Sequence, residues 1–72
     1  MSSNRLSARH ALNEIIEEQG RKVSWLAYVA NCSPSHMSRV ISQERTVERD
    51  VAERISTHLG VPVSLVFEPA GI

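Results

Sequence analysis

Cysteine is almost missing from this chain of 72 residues, in which Cys32 stands alone. A lone thiol forms no internal disulfide, so we expect a reducing compartment, by default the cytoplasm. No run approaches the roughly 20 apolar residues that cross a bilayer. No charged segment followed by an apolar one opens the sequence. We therefore expect neither membrane insertion nor secretion.

Motifs of catalysis and metal binding are also missing. The chain has no nucleophile elbow, phosphate loop, HExxH motif or pair of carboxylates in a plausible cleft. His10, His36, His58 and Cys32 lie on separate elements, without the paired spacings of zinc sites. A domain of this size has no room for a deep pocket. We therefore predict no enzymatic activity, no cofactor, no metal and no small-molecule ligand.

Net charge is zero, because eight basic and eight acidic residues cancel. This balance argues mildly against nucleic acid as a partner, since neutralisation of phosphates dominates that affinity. The distribution of the charges along the chain weakens this argument against nucleic acid. From Arg21 to Arg45 there are Arg21, Lys22, Arg39 and Arg45 against Glu44 alone, whereas most carboxylates fall in the expected first and fourth helices. One face can therefore be basic while the whole is neutral.

Hydrophobic residues make up 42% of the chain, which is enough for one globular domain spanning residues 1–72. Helical spacing of apolar residues, with Ser3 or Ser7 as a cap and Gly20 as the stop, predicts a first helix that ends near Gln19. A fourth helix is expected between a Thr46 cap and Gly60. Val63 to Phe67 is either a short fifth helix capped by Ser64 or an extended tail, and we favour the helix.

The stretch Val23 to Ser42 is the centre of this arrangement. Leu26 and Ala30 lie four residues apart on one helical face, and Ala27 is small enough to allow a second helix close by. Asn31 tolerates the positive φ that ends a helix. Ser33 followed by Pro34 is a strong helix start, because serine accepts from free amides and proline at the first helical position loses no hydrogen bond. Two helices around a tight turn are therefore predicted.

This pattern resembles the phage-repressor and Cro-like helix-turn-helix family. The resemblance rests on Leu26-Ala27, Ala30, Asn31 at the usual glycine of the turn, Cys32, the Ser33 cap, inward Met37 and Val40, Arg45-Thr46, Ile55, Leu59-Gly60-Val61 and Phe67. It covers about residues 8 to 67. It implies an all-α, compact four- to five-helix fold of the lambda-repressor-like type with a central helix-turn-helix at residues 23–42. Departures are Val23 in place of glutamine, and Pro34 where many members carry a base-reading side chain.

In that geometry the helix 34–42 lies in the DNA major groove, where side chains near its N-terminal half read base edges. Ser35, Ser38 and Arg39 are the candidate base readers, with Arg39 suited to guanine. Candidate contacts to the DNA backbone are Arg21, Lys22, Ser33, His36, Ser42, Gln43 and Arg45. The competing interpretation of each of these positions is a solvated surface residue without a role.

Two apolar surfaces are left over. If Leu26 and Ala30 face the core, then Trp25, Tyr28 and Val29 point partly outward, either as the rim of the core, with Trp25 over the first helix, or as a patch that binds a protein. The C-terminal apolar residues are the expected dimer surface, with burial of Phe67 in the core as the alternative for that residue. They are Val63, Leu65, Val66, Phe67 and Ile72.

The resemblance implies a bacterial or phage regulator that binds double-stranded DNA in a sequence-specific manner. We expect it to act as a homodimer by occupying an operator. A recombination directionality factor, which bends DNA beside an integrase, fits the same residues. The third hypothesis is a protein-interaction module on the same scaffold that binds another protein through Trp25, Tyr28 and Val29. Zero net charge and the three serines of the helix 34–42 motivate it.

Overall fold

A computed structural model describes residues 5–70, in which helices surround a core that a small sheet closes at one side. The elements in chain order are β1 (Arg5–Ala8), α1 (His10–Gln19), α2 (Val23–Ala30), α3 (Pro34–Ile41), β2 (Val47–Glu48), α4 (Arg49–Leu59), α5 (Val63–Val66) and β3 (Phe67–Pro69). None of these helices is long and apolar enough to cross a bilayer.

The sheet corrects the all-α prediction. Its three strands are antiparallel in the order β2-β1-β3, so the strand that starts the described chain lies between the other two. Leu6 pairs with Val47 on one side and with Pro69 on the other. Leu6 and Ala8 are buried while Arg5 is exposed, which is the two-residue alternation of a half-buried strand. Strands of two to four residues are too short for this alternation to stand out in a sequence.

Five helices are present, as predicted. Their apolar faces meet in one cluster whose largest fully buried side chains include those of Phe67, Leu12, Leu26, Met37, Ile55, Val40 and Val66. The predicted inward positions are confirmed as buried for Leu26, Ala27, Ala30, Met37, Val40, Ala52, Ile55 and Leu59. Ile41 and Val51, also predicted inward, are half-buried, and Val47 is buried in β2 instead of the fourth helix. Phe67 completes the core, which was the alternative assigned to it.

Three residues expected at the surface are buried instead. Val29 is only 9% exposed, and Val66 and Phe67 are 0% and 1% exposed, so none of them is free to form a partner or dimer surface. Val29 lies on α2, which packs against both α3 and α4. For Val66 and Phe67 the physical reason is that α5 packs on both α1 and α4, and β3 then turns Phe67 inward beside Ala8. Leu65 stays exposed, and Ile72 lies outside the described residues.

Some helix ends are set by neighbouring residues in the sequence, and others by contacts with distant parts of the chain. Gly20 and Gly60 take left-handed φ values of 68° and 75°, as predicted. Ser33 caps α3 by accepting from the amide of His36 at 3.1 Å, which confirms that prediction as well. α3 ends at Ile41, one residue before the expected end.

The other predicted caps are wrong. Ser7 belongs to β1, Ser64 lies inside α5, and α4 begins at Arg49 after Glu48. The hydroxyl of Thr46 accepts from Nε of Arg5 at 2.9 Å. Strand pairing thus takes Ser7, and the Arg5 side chain takes the hydroxyl of Thr46. Ser3 lies outside the described residues.

The burial of Phe67 predicts a large and specific loss of stability. Phe67→Ala should lower the free energy of unfolding by about 3–5 kcal/mol, because a ring is removed from a core that relaxes only in part. Leu65→Ala, a matched change two residues away on the exposed side of α5, should cost less than about 1 kcal/mol. Urea unfolding followed by circular dichroism measures both. Equal losses would contradict the inward position of Phe67.

Candidate functional site

The α2–turn–α3 unit is held together from inside. Leu26, Ala27 and Ala30 of α2 and Met37 and Val40 of α3 are all buried. The reversal between the helices depends on Asn31, which has a φ of 58° and ψ of 48°. Because Asn31 is left-handed there, its amide and that of the next residue donate back to the last turn of α2 at 3.1 and 3.0 Å. The small residues of α2 allow α3 to approach closely.

The outer face of α3 carries the predicted base readers. Ser35, Ser38, Arg39 and Ser42 are spaced i, i+3, i+4 and i+7, which places them on one side of the helix, and all four are exposed. The side chain of Arg39 makes no hydrogen bond or ion pair with any residue of the described chain. Its fork of donors is thus available to an outside acceptor. The structure brings the three base-reader candidates together on an open surface.

His36 lies off this face. It is half-buried and lines a small cavity of about 200 Å³. Cys32 lines the same cavity, and burial raises the pKa of its thiol, so the thiol is protonated near neutral pH. From the sequence we expect Cys32 to be a small buried apolar residue; it is half-buried and packs against the core.

The segment after α3 is fastened to β1. Gln43 takes a left-handed φ of 71°, and the amide of Glu44 donates to the carbonyl of Arg39 at 2.8 Å, which closes the end of α3. The side-chain Nε2 of Gln43 donates to the carbonyl oxygen of Ala8 at 2.7 Å. Gln43 therefore uses its amide nitrogen inside the protein, a use that differs from the predicted contact to the DNA backbone.

A second set of hydrogen bonds to β1 lies three residues further on, at Thr46. Nε and Nη2 of Arg5 donate to the hydroxyl and carbonyl oxygens of Thr46 at 2.9 and 2.8 Å. Arg45 stands between the two fastened residues, Gln43 and Thr46, and is itself exposed. Its backbone position is thereby set relative to α3 while its side chain stays available. Sequence reasoning missed the role of Arg5, for which a single arginine before a short strand offers no signal.

The hydroxyl of Ser42 is occupied within the chain. It donates toward Oε2 of Glu44 at 3.1 Å and toward the carbonyl of Arg39 at 3.3 Å. A phosphate needs a donor, and the single hydrogen of this hydroxyl already has acceptors. Ser42 is therefore a poorer phosphate contact than its exposure suggests, and Glu44 brings a carboxylate to the C-terminal end of α3.

Arg21 and Lys22 lie in the connection between α1 and α2, and both are exposed. The guanidinium carbon of Arg21 lies 4.4 Å from the ring centroid of Trp25, a cation–π contact. The other neighbour of that ring is His58, edge-on with ring centroids 6.3 Å apart. Trp25 is half-buried at the rim of the core, whereas Tyr28 is 84% exposed. Of the predicted aromatic patch, Tyr28 is the member that projects.

Comparisons of this chain with protein-family models, with curated proteins and with solved structures found no match. The function therefore has to be argued from the surface that α3 and its flanking residues form.

The left-handed conformation of Gln43 allows a matched pair of substitutions. Gln43→Ala removes the bond to Ala8 and keeps the unfavourable φ, so it should lower the free energy of unfolding by about 1–2 kcal/mol. Gln43→Gly also removes the bond, but glycine relieves roughly 1–2 kcal/mol of left-handed strain. We expect Gln43→Gly to lie close to the original chain in thermal unfolding. A glycine variant no more stable than the alanine variant would contradict this account.

Proposed function

We propose that this chain is a sequence-specific regulator that binds double-stranded DNA, with a lambda-repressor-like fold and α3 inserted in the major groove. The observation that carries the proposal is the open face of Ser35, Ser38 and Arg39 on a helix whose opposite face is buried. A helix with its side chains is about 10–12 Å across, and the major groove is about 12 Å wide. α3 therefore has a size and a polar outer face that suit this groove.

The proposed reading of bases depends most on Arg39. Its fork can donate to O6 and N7 of one guanine together, which is worth about 1–3 kcal/mol of discrimination. Ser35 and Ser38 are short side chains that contact either donors or acceptors on base edges. Their side chains add less selectivity than a bidentate arginine.

Phosphate contacts are proposed at both ends of α3. At its start, Ser33 and the free amide of Ser35 present donors at the positive end of the helix dipole. After its end, Arg45 extends from a segment that Gln43 and Thr46 fasten to β1. Residues 21 to 43 contain no carboxylate, so the like charge placed at the end of α3 is that of Glu44, which contacts Ser42.

The regulator is proposed to work as a homodimer that covers an operator with half-sites about one helical turn apart. Among the described C-terminal residues assigned to the dimer surface, Leu65 is exposed, at 45%.

A protein-interaction role is the second candidate, and the exposure of Tyr28 favours it. Tyr28 is 84% exposed, so little of the apolar area of its ring is buried within the protein. In this alternative, Tyr28 on α2 binds another protein and α3 has no DNA to read.

Binding to DNA of random sequence separates the two candidates. We expect measurable binding to a random duplex at low salt, with affinity that falls steeply as salt rises. The reason is that arginine and lysine side chains displace counterions from the phosphates they contact. Fluorescence anisotropy of a labelled duplex measures this. An absence of binding even at low salt would rule out the DNA proposal and leave the protein-interaction role.

The different roles proposed for Arg39, which reads a base, and for Arg45, which contacts a phosphate, give a second expectation. Arg39→Ala should reduce the preference for a selected site over random DNA by about 1–3 kcal/mol, with a smaller effect on random DNA. Arg45→Ala should weaken binding to all sequences alike and lower the salt slope by about 1. Titrations of both variants against selected and random duplexes measure this. The reverse pattern would show that the two roles are assigned wrongly.

A further inference from the structure

An open groove lies between α1 and α5, on residues that the proposed DNA contacts do not use. Its volume is about 700 Å³, and it is lined by Ala11, Glu14, Ile15, Glu17, Glu18 and Leu65. We call this surface the acidic groove. Its apolar floor includes Leu65, which is 45% exposed, and its rim carries three carboxylates and no cation. Carboxylates repel phosphates, so DNA is not its occupant.

A second surface of the same chain has the opposite chemistry. Arg21 stacks on Trp25, and Lys22 and Tyr28 are exposed three residues before and after that ring in the chain; we call these four residues the basic–aromatic patch. The contact proposed below uses Arg21 and Lys22 in place of the DNA-backbone contact expected of them from the sequence. Tyr28 and Leu65 are the two large apolar side chains that the described part of the chain leaves exposed. One belongs to the patch and the other to the groove.

We propose that the occupant of the acidic groove is the basic–aromatic patch of a second copy of this chain. The ring of Tyr28 would then cover Leu65 and Ile15, while Arg21 and Lys22 meet the glutamates of the rim. Both apolar side chains leave water in this contact, and the opposite charges set its orientation. Like charges would oppose a contact between two grooves or between two patches.

Most of the charges needed for this contact have no ion-pair partner inside one copy; the exception is Glu14, which lies 3.6 Å from His10. The two ion pairs among the described residues are Arg9 with Glu68 and His10 with Glu14. Arg21 and Lys22 take part in neither, and the stacking of Arg21 on Trp25 leaves the edge of its guanidinium open to a carboxylate. Glu17 and Glu18 have no ion-pair partner in residues 5–70 either.

A charge swap between two variants tests the contact. Sedimentation of the full chain without DNA should show self-association that strengthens with protein concentration and weakens with salt. Glu14→Lys/Glu18→Lys in the groove, or Arg21→Glu/Lys22→Glu in the patch, should each weaken association at least about tenfold, because like charges then meet. An equimolar mixture of the two variants should associate again, since each variant supplies the surface that the other has lost.

Matched changes make the test specific. Glu48→Lys/Glu53→Lys alters the same number of exposed carboxylates outside the groove and should leave association unchanged. Tyr28→Ser should weaken it, whereas Tyr28→Phe should preserve it, because the proposed contact uses the ring. Circular dichroism of each variant verifies its fold.

Three results would overturn the inference. They are a chain that stays monomeric at every concentration, a mixture of the two charge variants that fails to associate, and loss of association on Leu65→Ser with none on Tyr28→Ser. The last result would indicate a symmetric contact between two grooves. Because no DNA is present, each outcome is independent of whether the chain binds DNA.

Discussion

The placement of α3 depends on hydrogen bonds from β1. Ala8 accepts from the side chain of Gln43, and Arg5 donates twice to Thr46, so the two ends of the segment after α3 are held on one strand. The same strand pairs with β2 on one side and with β3 on the other. Four residues near the start of the chain thus connect its middle and its end. Without them, the segment after α3 would be held by the backbone hydrogen bonds that the amides of Glu44 and Arg45 donate to Arg39 and by apolar packing.

The composition of α3 limits what it can read. Its buried positions are taken by Met37 and Val40, and its open face is mostly serine, which leaves Arg39 as the side chain able to make a bidentate base contact. One such contact supplies about 1–3 kcal/mol. Specific sites exceed non-specific DNA by about 4–10 kcal/mol in typical regulators. For the proposed function, one copy of the chain therefore falls short, which is why a homodimer is proposed.

Segregation of charge reconciles a neutral chain with a proposed anionic partner. Cations without carboxylates occupy residues 21 to 43, while the glutamates of α1 line a groove that includes Leu65 of α5. The Ser42–Glu44 contact is the exception, because it brings a negative charge to the end of α3. Phosphates are therefore expected toward the start of α3 and at Arg45, and away from Glu44.

The sequence by itself determined the features that short-range chemistry controls. Gly20, Asn31 and Gly60 end helices because they tolerate a left-handed backbone, and Ser33-Pro34 starts one because the cap and the capped amide lie three residues apart. Helical spacing likewise predicted the buried side of α3 and the exposure of Arg39. The order of the five helices followed from the same local signals.

Tertiary structure alone decided the sheet, the burial of Val29, Val66 and Phe67, and the fastening of Gln43 and Thr46. In each case the partner is distant in the chain: 35 residues separate Gln43 from Ala8, and 41 separate Thr46 from Arg5. A threonine hydroxyl accepts equally well from a helix amide or from a guanidinium, and a short apolar segment suits a core or a surface. Which of these occurs depends on the groups that folding brings near, and these are set by the packing of the whole chain.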